Sequence, residues 1–208
     1  LPPSRGMMWR MVDKIEQRFA NVSKSTTFGN VVAHFGLREK KVLDIGCAYG
    51  EFLVHFGPGS VGVSIDQEEV AYAQQKGIDI RYGNIESEEF ALDEQFDVIF
   101  ANNIFEHLYS PHYFLCTIKK YLKPGGTLIL GVPCVPKVVS LLPISKFHGA
   151  LASGHINFFT KDTLRFTAER AGWKVDEIRG FRFAPAHLDH LLDPIYPHFY
   201  VSATADPE

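Results

Sequence analysis

Apolar positions along the chain fall into two rhythms, short continuous runs and i, i+3, i+4 spacings, and their alternation predicts strands separated by helices. Residues 42–54 carry the change of rhythm most clearly: Val-Leu-Asp-Ile reads as a buried strand, Gly46 and Gly50 frame a tight reversal, and Glu51 begins a helix-like run. Upstream, Trp9, Met11, Val12, Ile15 and Phe19 mark the buried side of a helix over 7–19, and a second helix is expected over 26–35, ended by Gly36. Downstream, strands are expected at 60–65, 78–82, 96–102, 128–132, 173–183 and 198–205, with helices at 67–76, 110–122 and 160–171. Asp66 and Thr160 stand where a side chain caps a helix start, and Gly77 and Gly172 where a left-handed residue closes one.

Composition narrows the classes. A chain of 208 residues suits one domain, with 1–40 as leading helices and 133–159 and 184–197 as segments that cover a substrate. The net charge of −3 gives no general attraction to nucleic acid. Cys47, Cys116 and Cys134 are far apart and form no Cys-x-x-Cys, which argues against a disulfide framework or zinc knuckle and for a reducing, cytoplasmic setting. The most apolar region, 127–144, is broken by Pro133, Pro136, Lys137 and Pro143, so no membrane span is expected. The chain opens at Leu1 rather than at Met, which leaves open whether residues precede it.

The glycines of 42–52 let a backbone approach a ligand, the helix start offers unpaired N–H groups, and Asp44 sits at the strand end. Their spacing is neither the G-x-G-x-x-G of dinucleotide enzymes nor a P-loop, so a pyrophosphate ligand is disfavoured. The stretch resembles motif I of the class I S-adenosylmethionine-dependent methyltransferases, Asp-x-Gly-x-Gly-x-Gly, with Ala48 at the middle glycine; alanine serves there if no positive φ is required. The succession Asn103-x-x-Glu106-His107-Leu108, helix, Leu122-Lys-Pro-Gly-Gly126, strand resembles the same family. The phrase His155-x-Asn-Phe-Phe-Thr160, helix, Ala171-Gly-Trp173 is similar to its small-molecule members, including those that O-methylate ubiquinone precursors.

The resemblance implies an α/β, Rossmann-like doubly wound sheet of about seven strands, mostly parallel with an antiparallel last strand and helices on both faces. It implies S-adenosylmethionine as cofactor, S-adenosylhomocysteine as product, and a cofactor site across Asp44, Gly46, Cys47, Ala48, Tyr49, Gly50, Ser64, Ile65, Asp66, Asn84, Ile85, Ala101, Asn102 and Asn103. Ser64 occupies the position of the acid that usually holds the ribose; either Asp66 takes that contact or it is only a helix cap. Asn84 stands where an aspartate usually receives the adenine amino group, and its amide oxygen can accept the same bond. The expected reaction is methyl transfer to a hydroxyl of a small molecule. Phe147, Phe158, Phe159, His187 and Tyr196 suggest an aromatic or partly apolar acceptor, although ordinary core packing is the commoner role for any single one of them. A SAM-binding regulatory or scaffold subunit without turnover is the alternative, and an NAD-dependent oxidoreductase is a weaker rival.

Glu106, His107 and His155 are the candidate catalytic residues. In the small-RNA 2'-O-methyltransferases, and similarly in some ubiquinone-pathway enzymes, a Glu-x-x-Glu-His set and a later histidine hold a divalent metal. Here Asn103 replaces the first carboxylate, and a neutral amide is a poorer ligand for a hard cation. The expectation is therefore no metal, with His107 or His155 serving as general base or acceptor-positioning group, and with a purely structural turn as the remaining reading.

Overall fold

The computed structural model describes residues 5–136 and 154–205. Helices α1 (Arg5–Lys24) and α2 (Thr26–Phe35) lead into β1 (Val42–Ile45). Ser25 caps α2, accepting from Phe28 N, and Gly36 ends it in the left-handed region at φ 61°. Then follow β2 (Val61–Ser64), α3 (Gln67–Gln75), β3 (Ile80–Tyr82), β4 (Phe96–Asn102), α4 (Pro111–Ile118) and β5 (Leu122–Pro133). After the undescribed span come α5 (Lys161–Arg170), β6 (Trp173–Arg179), α6 (Ala186–Leu192) and β7 (His198–Ala205).

The seven strands form one sheet in the order β3-β2-β1-β4-β5-β7-β6. The pairs from β3 to β5 are parallel, and β7 runs antiparallel to both β5 and β6, as expected. The order reverses beside β1 and β4, where an open α/β sheet leaves a crevice beyond its carboxyl ends. Each central strand is buried on both faces because helices cover both. Along β4, Val98 and Phe100 pack with Phe28, Val31 and Val32 of α2, whereas Phe96, Ile99 and Ala101 pack with the α4 and α5 side. Trp173 anchors the latter side, wholly buried with its Nε1–H donating to Leu115 O at 2.9 Å. Removing such a ring costs about 3–5 kcal/mol.

Two local expectations fail, besides the sixth strand, which was expected over 173–183 and ends at Arg179, short of the left-handed Phe181 at φ 55°. No α-helix follows Gly50; the chain makes turns and a single 3-10 turn over Leu53–His55. The reason lies at Gly57, whose N–H donates to both Leu37 O and Lys40 O and whose Cβ, if present, would meet Lys40 O at 2.6 Å. That anchor leaves too few residues after Gly50 for a helix to repay its nucleation. The helix N-terminus expected there is consequently absent. The second failure concerns α1, which extends to Lys24 rather than Phe19, and whose Val12 is exposed although Ile15 is buried. Cys47, Cys116 and Cys134 are free thiols. Among the described residues no helix is long and apolar enough to cross a membrane.

Candidate active site

Two cavities open at the carboxyl end of the sheet. The first, a cleft of about 490 Å³, runs from Gly46 and Ala48 past Ser64, Ile65 and Glu69 to Asn84 and Ile85, and is closed by Asn103, Ile104 and His107. Gly46 has φ 74°, and a Cβ there would meet Ile104 Cδ1 at 2.6 Å, so both backbone and space demand glycine. Gly50 is different. Its φ is 89°, but its missing Cβ faces Ile78 and Ile80, so it serves packing rather than the approach of a ligand. Ala48 sits at φ 47°, so the position does require the left-handed conformation that alanine was expected to avoid. An L-residue there costs about 1–2 kcal/mol.

Several residues of the motif support the cleft without lining it. Asp44 is buried beneath it with Oδ2 unpartnered; burial, and then the Glu51 carboxylate, push its carboxyl well above the usual range. The Cys47 thiol is buried in a small core with Leu53, Val70, Ala73 and Ile80. The Tyr49 ring meets Tyr72 edge-on and lies under the Arg18 guanidinium, which also donates through Nε to Glu51 Oε1 at 2.7 Å. Helix α1 is thereby tied to the motif loop. Ala101 is buried in the core, and Asn102 belongs to the second cavity.

Asp66 is committed to its cap. It is exposed, Oδ1 accepts from the backbone N–H of Glu68 and Glu69 at 2.8 and 3.4 Å, and it does not line the cleft. Glu69, one turn further on, does line it. Ser64 Oγ donates to Glu69 Oε2 at 2.6 Å, so serine and glutamate together occupy the place of the missing acid. Burial raises the Glu69 carboxyl, while the bond from Ser64 lowers it. The signal was present in the sequence as an acid in the first turn of α3, hidden by the more conspicuous Asp66. Asn84 lines the cleft as expected, its Oδ1 accepting from Glu86 N at 3.0 Å and keeping a second lone pair.

The three candidate catalytic residues come together. Glu106 Oε1 lies 3.8 Å from both His107 Nε2 and His155 Nε2, and the imidazoles meet edge-on at 4.8 Å. Their ligand atoms all fall within 4.8 Å of one another, a grouping of the size that holds a cation. Glu106 is buried with Oε2 unpartnered; burial raises its carboxyl, against the lowering effects of a backbone hydrogen bond and the two imidazoles. The returning segment is fastened here. His107 Nδ1 lies 2.9 Å from Gly154 O, and the N–H groups of Ile156 and Asn157 both donate to Glu106 O at 3.0 Å. The Asn103 amide oxygen, placed where a further carboxylate ligand would be needed, lies instead 3.0 Å from His198 Nε2.

The second cavity, about 540 Å³, lies between α2, the end of β4 and the connection from β6 to β7. Phe28, Phe52 and Tyr200 supply aromatic surface, and Asn102, Asn103, Arg182, Tyr196 and His198 supply polar groups. Of the aromatic and histidine residues singled out for an acceptor, only Tyr196 lines it among those described. Phe159 is buried against Phe105 at 4.9 Å, Phe158 and His187 are exposed and line neither cavity, and Phe147 lies outside the described residues. His198, Arg182 and Phe28 had no motif to mark them. Asn103 borders both cavities, at φ 55°, a left-handed position that asparagine tolerates better than most residues.

Comparison with known proteins agrees with this geometry. A family model described as a methyltransferase domain matches residues 14–178. A ubiquinone biosynthesis O-methyltransferase of Pseudomonas fluorescens is 33% identical over 76% of this chain and 75% of its own length. One from Aeromonas salmonicida is 27% identical over 72% of this chain and 69% of its own length. A crystal structure from Thermotoga maritima, titled a SAM-dependent methyltransferase and possible histamine N-methyltransferase, shares the fold at TM-score 0.64 and 19% identity, covering 95% of this chain and 97% of that one. The chain belongs to the S-adenosylmethionine-dependent methyltransferase family.

Proposed function

We propose that the cleft holds S-adenosylmethionine and that the chain moves its methyl group to a hydroxyl of a small-molecule acceptor. The observation that carries the proposal is the meeting of two cavities at one residue, Asn103, each within the volume range of small-molecule sites. The cleft residues fit the cofactor. Gly46 makes the left-handed turn at the cleft and leaves room for Ile104, which lines it, Glu69 presents a carboxylate for paired ribose hydroxyls in place of Asp66, and Asn84 retains an acceptor for an adenine amino group. When bound, the cofactor supplies an electrophilic methyl group on a sulfonium. The protein must align the acceptor oxygen, exclude water and receive the hydroxyl proton.

Glu106, His107 and His155 are assigned to that proton. The buried Glu106 faces both imidazoles at 3.8 Å, the Gly154 carbonyl holds the His107 ring, and either ring can accept a proton or hold the hydroxyl. A hydroxyl acceptor is supported by the relatives named as ubiquinone biosynthesis O-methyltransferases. His107→Ala and His155→Ala are each expected to lower turnover about 100-fold or more while S-adenosylhomocysteine affinity, read by calorimetry, changes little. Turnover is expected to survive a chelator. Full activity in both variants refutes the assignment, and loss on chelation with rescue by a divalent ion replaces it with a metal-assisted site. Cofactor binding without turnover on any hydroxylated acceptor favours a regulatory subunit.

A further inference from the structure

The turn that carries Glu106 and His107 depends for its shape on residues far away in the chain. Residues 105–107 form a single 3-10 turn, closed by His107 N donating to Ile104 O at 2.8 Å; Leu108 leaves it extended, and α4 begins only at Pro111. The backbone groups between the two elements must therefore find partners elsewhere. The Glu86 carboxylate accepts from Tyr109 N at 3.1 Å and from Ser110 N at 2.8 Å, one bond to each oxygen. From the other side, Asn157 Nδ2 donates to Leu108 O at 2.6 Å and to Glu106 O at 3.4 Å, and Asn157 N donates to Glu106 O at 3.0 Å. We propose that Glu86 and Asn157 are positioning residues that clamp this turn between them, Glu86 taking its donors and Asn157 its acceptors, and so set where His107 and His155 stand. The inference rests on the assignment of those histidines in the methyltransferase reading above and supplies what holds them in place.

The contacts inside the cluster do not fix it. Glu106 Oε1 stands 3.8 Å from each imidazole, beyond hydrogen-bond length, and its Oε2 has no partner. The firm bonds are those to the backbone. His155 lies two residues before Asn157, and the His107 ring is tied to Gly154 O at 2.9 Å, one residue before His155. Both rings are thus referred to the segment that Asn157 fastens. The residue type follows from the partners: two carbonyls call for a side chain that donates, and an aspartate of the same shape would set oxygen against oxygen.

Glu86 brings the cofactor cleft into the same arrangement. It borders the cleft, and its own N–H donates to Asn84 Oδ1 at 3.0 Å, so residues 84–86 form one compact turn, closed further by Ser87 N donating to Asn84 O at 3.0 Å. The residue placed for the adenine and the residue that holds the histidine-bearing turn therefore belong to one unit. Charge matters at Glu86, because a carboxylate accepts on both oxygens and each bond is charge-assisted, whereas a glutamine would turn an NH₂ group toward one of the two N–H donors. The site also lies beside the start of α4, where the helix dipole favours an anion.

The test reads placement directly and needs no acceptor. The whole chain is treated with diethyl pyrocarbonate at neutral pH, and modification of His155, whose side chain is 12% exposed, is followed by peptide mass spectrometry. Asn157→Ala and Asn157→Asp are expected to speed reaction at His155 about tenfold, the local opening that one lost hydrogen bond allows, while Asn157→Gln, which keeps a donor, retains part of the protection. Glu86→Gln is expected to speed it about threefold, Glu86→Asp less, and Asn84→Ala about twofold through the freed Glu86 backbone. His198 is the internal control, since a general loss of stability speeds both histidines and a loosened clamp only His155. Unchanged His155 rates in Asn157→Ala and Glu86→Gln, or equal acceleration at His198, overturn the clamp, and an unchanged rate in Asn84→Ala alone removes its link to the cofactor cleft. Full turnover in the histidine variants refutes the proton assignment and leaves these rates untouched, so the two failures are told apart.

Discussion

The cofactor cleft and the neighbouring chamber share Asn103 and little else in how they are built. The cleft is lined by short consecutive pieces at the ends of β1, β2, β3 and β4, with backbone and small residues doing much of the shaping. The chamber is assembled from Asn21 to Tyr200, across α1, α2, β4 and the antiparallel end of the sheet, by side chains whose positions depend on tertiary packing. A site made of local turns can be read as a motif, and one made of distant side chains cannot. The same contrast implies different sensitivities, because a turn fails through backbone geometry and an assembled wall fails through desolvation and charge.

The largest expected effect belongs to the cleft. Gly46→Val places a β-branched residue at φ 74° against Ile104, so S-adenosylhomocysteine affinity should fall more than about 100-fold, with Gly46→Ala intermediate. Calorimetry on protein with native circular dichroism checks this, and retained affinity in Gly46→Val would show that the turn does not shape the site.

The chamber should reveal itself through pH. His198 lines it, half-buried, and burial lowers its pKa from 6.5 to about 4. The unfolded chain thus binds the proton more readily than the native one between those values, so stability falls as pH drops from about 6.5 to about 4 and levels off below. The ring retains a face on the cavity, which reduces the expected loss to about 2 kcal/mol. Around it, Tyr196 and Tyr200 are kept protonated by burial, so neither titrates in this window. Urea unfolding across the window should show the acid-side loss reduced in His198→Phe, leaving the contribution of His55, whose pKa is also lowered by burial, set against the opposite contribution of the raised Asp44, Glu69 and Glu106 carboxyls. An unchanged slope would remove His198 as its source.

A finer division lies within the cleft. Glu69→Gln is expected to weaken S-adenosylhomocysteine about tenfold, the value of one charge-assisted hydrogen bond, with little change in stability. Asp66→Ala should do the reverse, costing about 1 kcal/mol of stability through the lost helix cap and leaving affinity nearly intact. Reversed outcomes would return the ribose contact to Asp66. The smallest effect is expected from Ala48→Gly, which relieves the left-handed strain and should raise stability by about 0.5–1 kcal/mol after the entropy of the added glycine is subtracted. A lower melting temperature would show that the alanine is better accommodated than its φ suggests.

These contrasts explain what the sequence disclosed. Strand 96–102 and helix 26–35 have the predicted limits because a continuous apolar run and a Ser cap with a Gly stop act locally. The reversed last strand followed from the family resemblance rather than from periodicity. The missing helix after Gly50 was invisible because its cause, the clamp on Gly57 by Leu37 and Lys40, joins residues that no local pattern relates. The left-handed demand at residue 48 was equally hidden, since φ is set by where the following strands lie. Glu69 was readable in principle, from an acid one helical turn beyond a serine that lacks its own charge. His198 and Arg182 were not, because nothing near them in the chain distinguishes a cavity wall from a surface.

The antiparallel strand also makes part of this enzyme exchangeable. Because β7 runs against its neighbours, its first residue, His198, pairs with the last residue of β5, Pro133, and so reaches the ligand-binding edge from the opposite direction. The stretch 180–197 is consequently a hairpin connection, closed at both ends by the β6–β7 ladder and separate from the parallel strands that form the cofactor cleft. Replacing that connection alone would remake one wall of the chamber, in evolution or in a designed chimera, while the turns that line the cleft are inherited intact.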